Sequence, residues 1–277
     1  PGWLAVPRDL SEELFNLDPS DPEFVPALRR YAVDRPATVE GIYTSPSHPE
    51  VRERVLAVWM DLLDRYDLDG IHFDYIRFPS AEFDYSRGAL ERFQVWVRPR
   101  LGAARLAELD QAVGRDPFIF VHDLPAEWAE FRRVQITNLV SDIYREVKDR
   151  KPWVIVSAAV VADSEVAYGA RFQDWHSWLS DGILDIAVPM AYTRDKEQFQ
   201  SLVRMARAAA GSRERVWAGV GSYMNTTQGT LEQIGLARGE DIGGVILFSY
   251  DWATGEGLGD PDDPFLQKIG REGFSFP

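Results

Sequence analysis

Tyr66-Asp67-Leu68-Asp69-Gly70-Ile71-His72-Phe73-Asp74-Tyr75-Ile76-Arg77-Phe78-Pro79 is the stretch that decides how the rest of this chain is read. A short apolar strand starts at Gly70 and ends on a carboxylate, Asp74, with aromatic and basic residues just beyond. Strand side chains alternate, so Gly70, His72 and Asp74 share one side while Ile71 and Phe73 take the other. An ionisable residue on the inner side of a strand's C-terminal end is where a parallel α/β barrel keeps its chemistry. The plainer alternative is an Asp capping the next loop; His72 and Arg77 beside it favour chemistry. Asp69 precedes the strand, belongs to the opposite end and reads as structural.

Outward from this stretch, Val51, Val55, Val58, Trp59, Leu62 and Leu63 recur at helical spacing over Glu50–Tyr66. Upstream, Trp3–Val6 reads as a strand, followed by a turn-rich segment with a short apolar piece at Phe24–Leu28. Ser20-Asp-Pro-Glu23 and Ser47-His-Pro-Glu50 both fit a capping box. Downstream, helical stretches are expected near Ser86–Gln111 and Ala126–Arg150, the second ending at Pro152. The rhythm then becomes regular. Strands are expected at Trp153–Ala158, Leu184–Pro189, Val216–Gly221 and Gly244–Phe248. Helices fall at Phe172–Leu179, Lys196–Ala210, Leu231–Arg238 and Pro264–Gly270. These strands are continuous apolar runs, as in a sheet covered on both faces, and the alternation with helices argues for parallel pairing.

Six strands result, where a closed (β/α)8 TIM barrel needs eight. The simplest reconciliation places the first two βα units before Pro1, leaving a single domain over 1–277 with a helical and loop insertion around 78–125. The chain lacks an initiator Met, which fits a processed product or a fragment. A barrel without a quarter of its staves exposes strand edges and core, so the isolated chain is expected to be fragile. The competing reading is an open α/β sheet of six strands.

The 277 residues suffice for a substantial core, and 45% apolar with 27% charged content is ordinary for a soluble globular protein. A net charge of −14 argues against nucleic-acid or anionic-membrane partners, which require a basic face. The absence of cysteine excludes disulfides and thiolate metal sites but leaves the compartment open. No apolar run approaches the ~18 residues of a membrane span.

With these elements in place, Gly70-Ile71-His72-Phe73-Asp74-Tyr75-Ile76-Arg77-Phe78-Pro79 resembles the fourth-strand signature of the bacterial glycosyl hydrolase-like 10 proteins. Further segments are similar in the same order: Ser47-His-Pro-Glu-Val51-Arg52, Arg132-Arg133…Lys151-Pro152-Trp153, and Phe172-Gln173-Asp174-Trp175. Val188-Pro189-Met190-Ala191-Tyr192 and Gly244-Val245-Ile246-Leu247-Phe248-Ser249 continue the series. The resemblance implies a glycosidase-type TIM barrel, exported or on the cell envelope, and acting on a carbohydrate. It implies no cofactor. It covers the family's third strand to its eighth; any site residues on the first two strands are absent, and the sugar stays unnamed.

Glycoside hydrolysis generally uses two carboxyl groups, one protonating the leaving oxygen while the other attacks C1 or activates water. Asp74 is the first choice, as nucleophile or, in an inverting enzyme, as base, and a nearby Arg77 is expected to lower its pKa. His72 can hydrogen-bond substrate or orient Asp74; its plainer reading is a satisfied histidine inside the barrel. Glu165, in the loop after Trp153–Ala158, and Asp251, after Gly244–Phe248, rank level as the second catalytic carboxyl. Asp163 shares the first of these loops, and Asp123 is unplaced. Asp174 and Asp185 read as structural, one capping the Trp175 helix, the other at a strand start. Aromatics make up 12% of the chain, and Tyr75, Tyr192, Tyr223, Tyr250 and Trp252 fall beyond strand ends, where sugar faces stack. Tyr192 and Trp252 are preferred as substrate-binding platforms, with Tyr75, Arg77, His72 and Asn225 as further contacts.

Three other classes compete with this reading. A metal-dependent hydrolase needs clustered ligands, and His48, His72, His122 and His176 show no HxH or HExxH spacing. A carbohydrate-binding pseudoenzyme would keep the aromatic platform and lack a correctly spaced second carboxyl, since fold alone does not imply activity. Phosphate chemistry is disfavoured, because there is no GxGxxG or P-loop and Gly239-Glu-Asp-Ile-Gly243-Gly244 is acidic and irregular. Oligomeric state and retaining or inverting outcome are not legible.

Overall fold

Five strands carry the architecture: β1 (Gly70–Phe73), β2 (Ile155–Val160), β3 (Ile186–Pro189), β4 (Trp217–Gly221) and β5 (Gly244–Phe248). They belong to a computed structural model that describes residues 2–36, 39–254, 259–260 and 263–274. β1 pairs in parallel with β2 and β2 with β3, while β4 pairs in parallel with β5. Parallel bridges Ala187↔Val216 and Met190↔Gly219 join β3 to β4. Helices lie between successive strands, so the molecule is an α/β protein with parallel strands. Val156, Ala158, Val160, Ala187, Ala218 and Val220 are buried, which is why the strands are near-continuous apolar runs.

The chain divides into two compact units. Unit 2 holds Leu68–Ile76, Lys148–Ala167 and Asp174–Pro277, and with them all five strands. Its helices include α8 (Ser164–Ala170, begun here and ended in unit 1), α9 (Trp175–Ser180), α10 (Lys196–Ala210), α11 (Thr227–Gly239), α12 (Tyr250–Thr254) and α13 (Phe265–Lys268). Asp174 caps α9 by accepting from Ser177 N at 3.4 Å. Asp185, just before β3, accepts from Val156 N and from Lys148 Nζ, each at 2.7 Å.

Unit 1 holds Pro1–Asp67, Arg77–Val147 and Tyr168–Gln173. It contains α1 (Arg8–Phe15), α2 (Phe24–Asp34), α3 (Pro49–Arg65), α4 (Arg87–Val97), α5 (Ala103–Ala112), α6 (Ile119–Asp123) and most of α7 (Pro125–Arg150). One core cluster gathers Phe93, Phe120, Trp128 and Phe131, with Trp128 and Phe131 stacked at 5.5 Å and 15°. Arg132 is buried against it; Nη1 donates to the carbonyls of Ala81 at 2.6 Å and Phe83 at 2.5 Å. Loss of hydration pulls this guanidinium down to about 10.

Several expectations change. Trp3–Val6 is extended chain with a single antiparallel bridge, Leu4↔Thr44. Its hydrogen bonds run to distant segments of unit 1, Ala5 N to Tyr43 O and Tyr85 N to Val6 O, rather than to a parallel strand. Neither capping box forms. Asp18 Oδ1 captures both the amide and the hydroxyl of Ser20, at 2.8 and 2.6 Å, and α2 starts only at Phe24. The Ser47 hydroxyl faces Ser45 Oγ at 2.9 Å and accepts from Arg92 Nε at 3.1 Å, leaving His48 at the start of α3 without a side-chain cap. The helix expected over Ser86–Gln111 is broken into α4, a 3₁₀ turn at Arg98–Arg100 and α5, because Pro99 and Gly102 interrupt it.

Candidate functional site

β1 delivers its chemistry in two steps of alternation. The strand's burial runs exposed, buried, exposed, buried from Gly70 to Phe73, so His72 and Asp74 look outward while Ile71 and Phe73 anchor the core. Beyond the strand the backbone turns sharply, with Tyr75 at φ 53°. Asp74 Oδ1 accepts from the Tyr75 amide at 2.7 Å, which fixes the carboxylate and leaves Oδ2 open. Asp74 and Tyr75 are both exposed.

The ends of three other strands of unit 2 bring aromatic rings together. Tyr192, after β3, stacks on Phe248 of β5 at 5.6 Å and 17°. Tyr223, after β4, meets both edge-on at 6.0 Å. Gly221 permits the approach, since a Cβ there would stand 3.2 Å from Tyr192. Burial pushes the Tyr192 hydroxyl well above its ordinary range, and the Asp74 carboxylate and the Tyr223 and Tyr75 hydroxyls push the same way. Tyr192 is therefore a hydrogen-bond donor throughout the neutral range. His72 Nδ1 lies 2.9 Å from Ser157 Oγ on β2.

The other expected site residues have contacts of their own. Asn225 spends its amide on the scaffold, donating to Gly221 O at 3.0 Å and Gln233 Oε1 at 3.2 Å. Trp252 is half-buried in a C-terminal cluster, edge-on to Phe265 at 5.1 Å. Glu165 sits in the first turn of α8 and Asp251 in the first turn of α12, not in loops, and both are exposed. Among the described residues neither carboxylate makes a hydrogen bond or an ion pair. In unit 1, Arg77 Nη2 is 3.5 Å from Glu40 Oε2, which also accepts from the Tyr43 hydroxyl at 2.6 Å. Ser157, Phe248 and Glu40 are the contacts the sequence reading misses. Ser157 becomes findable only once β1 and β2 are in register, because His72 and Ser157 are then direct partners.

Among the described residues no three His, Cys, Asp or Glu side chains come close enough to hold a metal ion. Among them too, no helix is long and apolar enough to cross a membrane.

Comparison with known proteins identifies a family. The family model described as Glycosyl hydrolase-like 10 matches residues 20–216. No curated protein sequence matches the chain. Among solved structures, active domain 2 of a chitinase from Pyrococcus furiosus, in its catalytic-site mutants, aligns at 16% identity over 55% of this chain and 68% of its own, with a TM-score of 0.36. A likeness that low supports no argument about fold or chemistry.

Proposed function

The chain belongs to the glycosyl hydrolase-like 10 family, and from that membership we propose that it hydrolyses O-glycosidic bonds of a polysaccharide or cell-wall glycan, with Asp74 as the catalytic carboxylate. The observation that carries the reading is that Asp74 and the Tyr192, Tyr223 and Phe248 rings all fall at the C-terminal ends of parallel strands of unit 2. A carboxylate sharing the strand ends with the exposed Tyr223 and Phe248 rings suits a sugar: C–H faces stack, hydroxyls hydrogen-bond, and C1 meets the carboxylate. Tyr192 supplies a proton-bearing hydroxyl to the same group. The proposal extends to part of a (β/α)8-type barrel as the architecture of 1–277, with 78–125 as an insertion. It also extends to an extracellular or envelope location, and to Glu165 or Asp251 as the second carboxyl. No cofactor or nucleic acid enters the mechanism.

A second reading, glycan binding without turnover, follows from the same Tyr192, Tyr223 and Phe248 rings, which can hold a sugar whether or not a second carboxyl is in place. One experiment separates the two. Sugar release is measured over a panel of polysaccharides and bacterial cell-wall glycans for the wild type and Asp74→Asn. Loss of a group in direct chemical contact with C1 is expected to lower turnover by about 10²–10⁴-fold. Turnover unaffected by the substitution keeps the reaction class and removes Asp74 from it. Binding with no turnover in the wild type replaces hydrolysis with recognition.

A further inference from the structure

His72 and Ser157 are partners in the β1–β2 register, so both side chains rise from the same face of the sheet. His72 Nδ1 is 2.9 Å from Ser157 Oγ, and that hydroxyl donates to the Ile71 carbonyl at 3.2 Å. A serine hydroxyl owns one proton, and a carbonyl only accepts. A serine proton given to Ile71 makes the serine oxygen an acceptor toward the imidazole, and Nδ1 then carries the ring proton. In the neutral ring the lone pair then sits on Nε2.

The charge state follows from the surroundings. Loss of hydration pulls His72 below its ordinary range, and the neighbouring Asp74 opposes this. On the same face β2 presents Ile155, Ser157 and Ala159, none of which is charged. The ring is therefore neutral at pH 7, with a defined donor side and a defined acceptor side.

We propose that His72 is a one-way hydrogen-bond acceptor at Nε2, that Ser157 is the positioning residue fixing this tautomer, and that the pair selects a hydroxyl donor of the substrate beside Asp74. This rests on the carbohydrate reading above and narrows it. The group met at this position is a sugar hydroxyl, not an N-acetyl carbonyl or a carboxylate, which only accept. A ring protonated on Nε2 has the opposite preference, so the tautomer is the specificity.

The test has a substrate-free arm and a substrate arm. Two-bond ¹H–¹⁵N correlations on the full chain with ¹⁵N-labelled histidine report which ring nitrogen is protonated, with His72→Gln giving the assignment. The wild type is expected to show Nδ1–H. Ser157→Ala is expected to move the population toward Nε2–H, and Ser157→Thr, which keeps the hydroxyl, to restore it. An Nε2–H ring in the wild type, or a tautomer indifferent to Ser157→Ala, overturns the proposal whatever the protein's activity. Should the alanine variant not fold, the wild-type and threonine spectra decide. In the substrate arm, His72→Phe is expected to weaken binding of a responsive glycan about tenfold, while His72→Gln, whose Oε1 accepts, retains most of it. Binding is expected to fall as acid protonates Nε2, and that acid limb is expected to vanish in His72→Gln. Equal binding by His72→Phe, or an acid limb that persists in His72→Gln, overturns the recognition half. A wild type that neither binds nor cleaves any glycan removes the carbohydrate reading and that half with it, while the spectra still decide the tautomer.

Discussion

Asp84 is a carboxylate with only 2% of its surface exposed. Its Oδ1 accepts from the amides of Val6 and Ser86, each at 2.9 Å. Burial raises its pKa, and the hydrogen bonds from Ser45, Val6 and Ser86 work against that rise. Two outcomes follow at this scale. Asp84→Ala leaves two buried N–H donors unmet and is expected to cost about 2–4 kcal/mol in urea unfolding, whereas Asp84→Asn keeps the acceptor and loses much less. Because the folded pKa lies above the unfolded one, the contribution is complete below the unfolded value and is lost as pH rises through the folded value. The asparagine variant is therefore expected to show a flatter urea midpoint between mildly acidic and neutral pH than the wild type. Nothing in the sequence marks Asp84 as special, because a partner 78 residues away is what buries it. Asp74 is different: an apolar run ending on Asp states its own position. His72 lies between these cases, with its face legible from alternation and its partner Ser157 not.

At the scale of elements, legibility follows how local the determining interactions are. The helix over Lys196–Ala210 is bounded as its sequence announces: Asp195 Oδ1 accepts from Gln198 N at 2.9 Å, and Gly211 closes it at φ 71°. Asp195→Ala is expected to cost about 1 kcal/mol through the lost cap. Gly211→Ala is expected to cost about 1–2 kcal/mol through the left-handed backbone; the two should add, since the sites are far apart. By contrast Ser20→Ala is expected to change stability within about 0.5 kcal/mol, because Ser20 serves an exposed Asp18 turn and caps nothing. Thermal unfolding of the three variants checks all of this. In both places the serine hydroxyl is engaged by another side chain, donating to Asp18 from Ser20 and accepting from Arg92 at Ser47. The parallel strands were legible because two-sided burial writes itself as uninterrupted apolar residues. Trp3–Val6 was not, since extended chain next to a returning segment has the same composition as a strand. Helices α8 and α12 escaped because seven and five residues are too few to show a period.

At the scale of the molecule, neither compact unit is a continuous piece of chain. Unit 1 takes Tyr168–Gln173 from well beyond its other segments, and Phe172 shows what that return contributes. Its ring is 1% exposed, edge-on to Phe78 at 5.6 Å and under the Arg132 guanidinium at 3.9 Å. Its backbone sits at φ 54°, a conformation that costs a non-glycine residue about 1–3 kcal/mol. The ring's burial must offset that strain and also help shield a desolvated cation with no carboxylate among the hydrogen-bond partners described above. Truncating a buried Phe typically costs about 3–5 kcal/mol, a large share of the roughly 5–15 kcal/mol that holds a domain folded. Phe172→Ala in the full chain is therefore expected to lower the urea midpoint clearly while leaving one cooperative transition. A fragment comprising residues 1–147 retains nearly all the unit's helices and lacks this return. It is expected to show helical circular dichroism without a sharp unfolding transition and without dispersed amide resonances. A fragment that unfolds cooperatively would show that α1–α7 close their own core, and would reduce Tyr168–Gln173 to a passing loop.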